Sequence, residues 1–371
     1  MNDTYISNIP SMTVDAIVES LGHAYATLLQ KGLPLRTMPS VMLWGPPGIG
    51  KSQAVRQIAS KIQESTGKEV HITDVRLLLF NPIDLRGIPT SNADKTLAVW
   101  LKPQIFQMDD SDRVVNLLFL DEISAAPPSV QAAAFQITLD RRIGEHVLPE
   151  NCIVMAAGNR ITDRSVAFKM PKALANRLMH IEVEASFSSW KKWAVSTGIH
   201  SKVIGFLSFR PSYLMAFHPE NEDTAFPTPR SWEMVSRILN TVSDDIDPMY
   251  SFIAGLIGIG TAVEFRTWTR VYAELPPLED IFQGKMPPLP RNTDALYALT
   301  ASMVSYARDH KEDLTQIANS IRYADRMPPD FSTLLLRDYM YLEPDYKTKL
   351  LGIPDFQRWL QEKGRLLHGM V

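Results

Sequence analysis

The run Gly-Pro-Pro-Gly-Ile-Gly-Lys-Ser at residues 45–52 constrains the fold of this chain more than any other segment. It fits the pattern G-x-x-x-x-G-K-[ST], in which glycines let successive backbone N–H groups face one anionic centre. The apolar run 41–44 precedes it, and a stretch with apolar residues at helical spacing follows it, ending at Gly67. This order predicts a strand, a phosphate-binding loop and a helix.

The loop also predicts which groups would hold a triphosphate. We expect the Lys51 ammonium to reach the β- and γ-phosphates and the Ser52 hydroxyl to ligate Mg²⁺. The helix that follows adds the positive end of its dipole. A chance match to the pattern is expected in on the order of one such chain in a hundred. The predicted nucleotide-binding residues are Gly45, Pro47, Gly48, Ile49, Gly50, Lys51 and Ser52.

The chain has 371 residues, and this length predicts more than one domain, because single hydrophobic cores rarely grow past about 250 residues. A formal net charge of −3 provides no strong field to attract nucleic acid or an acidic membrane, although a local basic patch is left open.

The single cysteine, Cys152, excludes an intrachain disulfide framework and suits a reducing compartment. It heads an apolar run, so we expect it to be buried. The first residues lack the features of a secretion signal, and no stretch has the roughly 18 apolar residues that span a bilayer. We expect a cytoplasmic protein without a membrane segment.

Short apolar runs alternate with amphipathic helices between residues 41 and 183, which is typical of a parallel sheet covered by helices. After a helix at 12–32, the predicted strands are 41–44, 70–76, 116–121, 152–157 and 180–184. Helices separated by proline-rich turns then dominate, for example 187–197, 202–208, 230–242, 293–308 and 355–367. We place a boundary near residue 185 and a softer one near 275.

The predicted strand 116–121 ends in two acids, Asp121 and Glu122. The carboxyl end of a buried strand lies at the sheet edge where ligands bind in open α/β folds. Asp121 is then placed to hold Mg²⁺, and Glu122 to orient and deprotonate the attacking water. The alternative, two solvated acids at a strand end, is weakened by the phosphate loop upstream.

In these motifs the chain resembles the AAA+ superfamily, with residues 45–52 as Walker A and 117–122 as Walker B. The run 153–160 is similar to the sensor-1 strand, whose polar end residue is here Asn159. The segment Leu-Ala-Asn-Arg-Leu resembles the one that carries the arginine finger, which implies this role for Arg177, with Arg164 as a weaker competitor. Relatives often have Asp and Phe beside that arginine, where this chain has Asn and Leu.

The run Pro-Thr-Pro-Arg-Ser-Trp at 227–232 is similar to the start of the sensor-2 helix, which implies that the Arg230 guanidinium points at the phosphates bound to its own subunit or to a neighbouring one.

Residues 84–89 and 99–103 resemble the helix-2 insertion of the MoxR, magnesium-chelatase and McrB branch. A surface loop anchored by Trp100 is the alternative. The arginines in 140–144 face either a pore or neighbour, or solvent at a helix end.

The resemblance, which covers about residues 12–270, is to MoxR-type members. It implies a three-layer αβα core at 1–185, which includes the N-terminal helix, and an all-α lid at 186–275. The helical pattern beyond the resemblance predicts a helical extension of the lid at 276–371. The resemblance further implies ATP/ADP and Mg²⁺ as cofactors, catalytic roles for Glu122, Asn159, Arg177 and Arg230, and metal ligation by Ser52 and Asp121.

The implied function is that of an ATP-hydrolysing subunit of a homo-oligomeric ring, with six subunits expected. Such a ring would remodel a client protein together with a partner that carries a von Willebrand factor A domain. The alternatives are a McrB-like nucleic-acid motor and an ATP-gated scaffold with little turnover. Nucleic acid is the less expected partner, because the net charge of the chain is close to neutral. The basic pair Lys191–Lys192 is too short to indicate nucleic-acid binding, and the spacing of Trp190 and Trp193 favours core packing.

Overall fold

A computed structural model describes residues 9–163, 168, 170, 175–221 and 223–363. Two units are distinguished, one within Met1–Ala185 together with His218–Asn221, the other within Ser186–Phe217 and Glu222–Val371. Among the helices of the described residues, none combines the length and apolar character that crossing a membrane requires.

The first unit is built on a six-stranded parallel sheet, as predicted. In chain order the strands of this unit are β1 (Ser11–Thr13), β2 (Val41–Trp44), β3 (Glu69–Arg76), β4 (Ile88–Ser91), β5 (Ala98–Leu101), β6 (Val114–Asp121), β7 (Arg142–Ile143), β8 (His146–Val147), β9 (Cys152–Gly158) and β10 (Met179–Glu184). The sheet has the order β1-β10-β2-β9-β6-β3, and β4–β5 and β7–β8 form separate antiparallel hairpins.

Successive residues of the central strands pack into two different hydrophobic cores. Leu43 belongs to the core beneath helices α1 (Val14–Gln30) and α2 (Lys51–Thr66), and its neighbour Met42 to the core on the other face. Helices α3 (Pro82–Arg86) and α4 (Pro128–Asp140) contribute to that second core. Since side chains alternate across a strand, the two cores show a sheet covered on both faces.

The second unit is helical in the residues that the structure describes, also as predicted. Its helices are α5 (Phe187–Thr197), α6 (Ser201–Phe209), α7 (Pro229–Thr241), α8 (Ile246–Ile257), α9 (Ile259–Thr269), α10 (Leu278–Phe282), α11 (Thr293–Asp309), α12 (Leu314–Ala324), α13 (Pro329–Tyr339), α14 (Tyr346–Leu351) and α15 (Pro354–Lys363). The predicted helix 355–367 thus begins one residue earlier, and its end lies outside the described residues. One hydrophobic core runs from Trp190 to Trp359, and the division near residue 275 stays a prediction.

A buried ion pair joins α5 to α13 within this core. The Lys191 Nζ lies 2.5 Å from an Asp338 carboxylate oxygen, and the two side chains are 3% and 0% exposed. Burial raises the pKa of Asp338 and lowers that of Lys191, while their mutual attraction opposes both shifts. Each charge is therefore tolerated in the core because the other one is present.

We expect Lys191→Met to lower the free energy of unfolding by about 3–5 kcal/mol, because the buried carboxylate loses the cation at 2.5 Å and keeps only the Arg337 guanidinium at 4.0 Å. The double variant Lys191→Met/Asp338→Leu should recover most of this loss. The exposed neighbour Lys192 provides the control, and Lys192→Met should change stability by less than about 0.5 kcal/mol. Calorimetric unfolding of the three variants checks this, and equal stability of the two single variants would contradict it.

Candidate functional site

The glycine-rich loop connects the carboxyl end of β2 to the first turn of α2. Gly48 and Gly50 have φ angles of 79° and 113°, a region that side chains with a Cβ rarely adopt. Gly50 is also the N-cap residue of α2. The first backbone N–H groups of a helix have no partner inside it, so the start of α2 offers donors to an anion.

The Lys51 side chain is buried, and three oxygen atoms hold its ammonium group. Nζ donates to the carbonyl oxygens of Gly45 at 2.6 Å and Pro46 at 3.0 Å, and to the Asn159 Oδ1 at 2.9 Å. The lysine therefore links the phosphate loop to the end of β9. A phosphate entering the loop would compete with these neutral oxygens for the ammonium and would be favoured by its charge.

Ser52 and Asp121, the two predicted metal ligands, lie next to each other. The Ser52 hydroxyl donates to Asp121 Oδ2 at 2.9 Å, and Asp121 Oδ1 accepts from the Glu122 N–H at 2.8 Å. A hydroxyl and a carboxylate are oxygen ligands of the kind Mg²⁺ prefers. No group of three His, Cys, Asp or Glu side chains suited to a metal occurs in the described part of the chain.

Glu122 has a left-handed backbone conformation, with a φ angle of 58°. For a residue other than glycine or asparagine this conformation costs roughly 1–2 kcal/mol. The residue follows directly on β6, and its side chain is half-buried. The structure thus keeps a strained glutamate at the edge of the sheet that carries the phosphate loop.

Asn159 is held at the end of β9 from two sides. Its side-chain oxygen accepts from Lys51, and its backbone N–H donates to the buried Ser124 hydroxyl at 2.9 Å. A Cβ on the preceding Gly158 would come within 2.8 Å of both Ser124 Oγ and Met42 Cε. Only glycine fits there without displacement, so the backbone before Asn159 sits tightly against the strand end of β6.

Arg177 lies at the opposite end of the sheet. It is exposed and lines an open cleft of about 740 Å³ formed around the amino ends of β2, β9 and β10. Arg177 precedes β10, whereas the phosphate loop follows β2, the neighbouring parallel strand. Six residues along a strand correspond to roughly 20 Å. Arg177 is therefore not brought to the loop of its own chain, and Arg164 lies outside the described residues.

Arg230 belongs to the second unit. It occupies the first turn of α7 and is exposed. Thr228 caps this helix by accepting from the Ser231 N–H, whose side chain in turn accepts from the Thr228 N–H. The predicted helix start is confirmed, and the role of Arg230 stays a prediction.

The segment compared with a helix-2 insertion contains a hairpin, formed by β4 and β5. Ile88 and Leu101 are cross-strand partners and are 61% and 57% exposed, and Leu97 near the turn is 66% exposed. Trp100 is half-buried, and its carbonyl oxygen lies 2.9 Å from the His146 ring nitrogen of the β7–β8 hairpin. The hairpin thus presents aliphatic side chains to solvent while its base is anchored.

The two arginines before β9 have different environments. Arg141 is partly buried and its guanidinium donates to the carbonyl oxygen of Cys152 at 2.6 Å, whereas Arg142 is exposed. The prediction that Cys152 is buried is confirmed.

Two groups of side chains beside the site did not stand out in the sequence. Asp74 on β3 lies near Asp121; burial, and then the charge of Asp121, raise the pKa of its carboxyl group. Arg160, directly after Asn159, forms ion pairs with Asp163 and Glu182. The position of Arg160, directly after Asn159, was the one signal in the sequence that could have pointed to its ion pairs. Asp74 is brought near Asp121 only by the pairing of β3 with β6.

Residues 40–180 match the model of the ATPase family associated with various cellular activities. This part of the chain is an AAA ATPase domain. Over an alignment 154 residues long, the chain is 27% identical to human peroxisomal ATPase PEX1, and the alignment covers 38% of this chain and 12% of PEX1.

Solved structures with similarity to the chain include a RuvB variant from Thermotoga maritima, with a sequence identity of 16% and a TM-score of 0.36. The match covers 80% of this chain and 86% of the RuvB chain. NtrX from Brucella abortus in complex with ADP has 16% identity, with 94% and 68% covered, and also a TM-score of 0.36.

We expect Lys51→Ala to weaken binding of ADP and ATP by at least about a hundredfold, because charge-assisted bonds to phosphate are lost from a buried position. Lys31→Ala removes an exposed lysine of the same unit and should leave the affinity unchanged. Isothermal titration with both nucleotides measures the difference. Equal affinities of the two variants would contradict the placement of the phosphates.

Proposed function

We propose that the chain hydrolyses ATP with Mg²⁺ as a subunit of a ring, and that the ring remodels a client protein in the manner of MoxR-type ATPases. The observation that carries the first part is the convergence of Lys51, Ser52, Asp121 and Asn159 at one edge of the sheet. Glu122 stands at the same edge, where a water attacking a bound phosphate would lie.

Each of these side chains has a distinct proposed task. The loop amides and Lys51 would hold the phosphates, and Ser52 and Asp121 would hold Mg²⁺, whose charge when bound would stabilise the negative charge on the phosphate oxygens. Glu122 orients the attacking water and accepts its proton. The Asn159 side-chain nitrogen, which donates to none of the described residues, is available to the same water or to the γ-phosphate.

The opposite position of Arg177 supports assembly of several copies. Since Arg177 and the phosphate loop lie at different ends of the sheet, we propose that Arg177 completes the site of a neighbouring copy. A cation near the γ-phosphate stabilises charge in the transition state of phosphoryl transfer. A closed ring of copies, with six expected, would give every site such an arginine.

The exposed β4–β5 hairpin supports action on a protein. Ile88, Leu97 and Leu101 would contact apolar segments of a client, because large aliphatic side chains exposed along one hairpin favour protein association. From the resemblance to MoxR-type ATPases, we also propose that the ring acts with a partner that carries a von Willebrand factor A domain.

From the same resemblance, we propose that Arg230 on α7 contacts the phosphates of its own or a neighbouring subunit.

We expect Glu122→Gln to bind ATP with unchanged affinity and to lose turnover by about a hundredfold or more, because glutamine cannot accept the proton of the attacking water. Steady-state phosphate release, measured with the affinity for ATP, checks this. Undiminished release would exclude Glu122 as the base.

The strained backbone offers a matched control. Glu122→Gly should also lose turnover, but it should unfold at a higher temperature than Glu122→Gln, since glycine relieves roughly 1 kcal/mol of left-handed strain. If both variants lose turnover although Glu122→Gly unfolds at the higher temperature, the loss is due to the missing carboxylate and not to unfolding.

Arg177→Ala and Lys51→Ala should each be inactive alone and regain part of the activity when mixed. In a mixed ring, an intact loop of one copy can face an intact arginine of another. Phosphate release across mixing ratios measures the recovery, with Arg113→Ala, an exposed arginine of the same unit, as the control that keeps its activity without mixing. Failure to recover at every ratio would argue against action between copies.

A further inference from the structure

The residue that follows Asn159 forms a dense set of charged contacts. The Arg160 guanidinium donates to Asp163 Oδ1 from Nη2 at 2.8 Å and from Nε at 3.1 Å, and Nη1 contacts the Glu182 carboxylate. The backbone N–H of Arg160 also donates to Asp163 Oδ2 at 2.8 Å. One side chain thus closes the turn after β9 and ties it to β10.

The carboxylates in these contacts are shielded from water. Asp163 is 2% exposed and Glu182 is 14% exposed, whereas the Arg160 side chain is 36% exposed. Burial opposes the charge on Arg160, but the hydrogen bonds and the attraction from both acids raise its pKa above the ordinary value. Surface ion pairs hold a geometry weakly, while shielded and multiply bonded pairs hold it firmly.

The acids that bind Arg160 lie on elements next to the site, Glu182 on β10 and Asp163 in the turn after β9. Glu182 pairs in register with Trp44, the last residue before the phosphate loop. Arg160 therefore connects the turn after β9 to the strand on the far side of β2. Asn159 lies between the two fixed points, with its side chain on Lys51 and the next residue held by Asp163 and Glu182.

We infer that Arg160 is a positioning residue for ATP hydrolysis, which holds the Asn159 amide at the reacting phosphate through its ion pairs with Asp163 and Glu182. This inference rests on the proposed function. Lys51 keeps its bonds to the carbonyl oxygens of the loop without Arg160, so nucleotide affinity should be preserved. A misplaced Asn159 should instead slow turnover.

The test uses the full-length protein with the variants Arg160→Gln and Glu182→Gln. We expect Arg160→Gln to lower kcat by about ten- to a hundredfold, the usual effect of a small misplacement of a catalytic group, with ADP affinity within about twofold of the unmodified protein. Glu182→Gln removes one anchor and should give a smaller loss in the same direction. Arg160→Lys, which keeps the charge, should recover part of the activity.

The control is Arg358→Gln. Arg358 also pairs with two acids, Asp325 and Asp355, but it lies in the second unit and is 54% exposed. Its substitution should leave kcat unchanged. Thermal unfolding of all variants shows which of them are folded at the assay temperature, and if Arg160→Gln is not, Arg160→Lys and Glu182→Gln carry the test.

The Asn159→Ala background separates positioning from general stabilisation. If Arg160 acts through Asn159, then Arg160→Gln should cause little further loss of kcat in Asn159→Ala, because coupled residues are not additive. Equal fold losses in both backgrounds, or an unchanged kcat in Arg160→Gln, would overturn the inference. Absence of ATPase activity in the unmodified protein would instead refute the proposed function, so the two failures are distinguishable.

Discussion

The bond between the Lys51 ammonium and the Asn159 amide oxygen is the contact on which the site depends. It joins the phosphate loop to a strand end more than 100 residues further along the chain, at 2.9 Å. Both residues are also held from behind, Lys51 by the carbonyl oxygens of its own loop and Asn159 by Ser124. A phosphate in the loop would compete for the ammonium with all three of these oxygens, so we expect the contacts of Asn159 to change when the loop is occupied.

The direction of the strands explains why the proposed chemistry is divided between copies. In a parallel sheet all carboxyl ends lie at one edge, so β2, β6 and β9 deliver Lys51, Asp121 and Asn159 to the same place. A residue that precedes β10, such as Arg177, lies at the other edge. One chain thus presents an acceptor site for phosphates at one end of its sheet and an exposed arginine at the other.

The sequence predicted those parts of the structure that local patterns determine. Buried strands such as β6 and β9 are continuous apolar runs, and the loop at 45–50 needs glycines at fixed positions. The three-residue strand β1 was merged with the first helix because it is too short for a period-two pattern. The pairs Arg160–Glu182 and Lys191–Asp338 could not be predicted, since they join residues far apart in the chain and nothing in the local pattern marks them as partners.

The most direct test of this account is the structure of the protein with a non-hydrolysable ATP analogue and Mg²⁺. We expect the β- and γ-phosphates to lie in the loop at 45–52 and the metal to lie between Ser52 and Asp121. We also expect Lys51 Nζ to move from the Gly45 and Pro46 carbonyl oxygens onto phosphate oxygens. A triphosphate bound elsewhere, with the contacts of Lys51 to those carbonyl oxygens unchanged, would contradict this account.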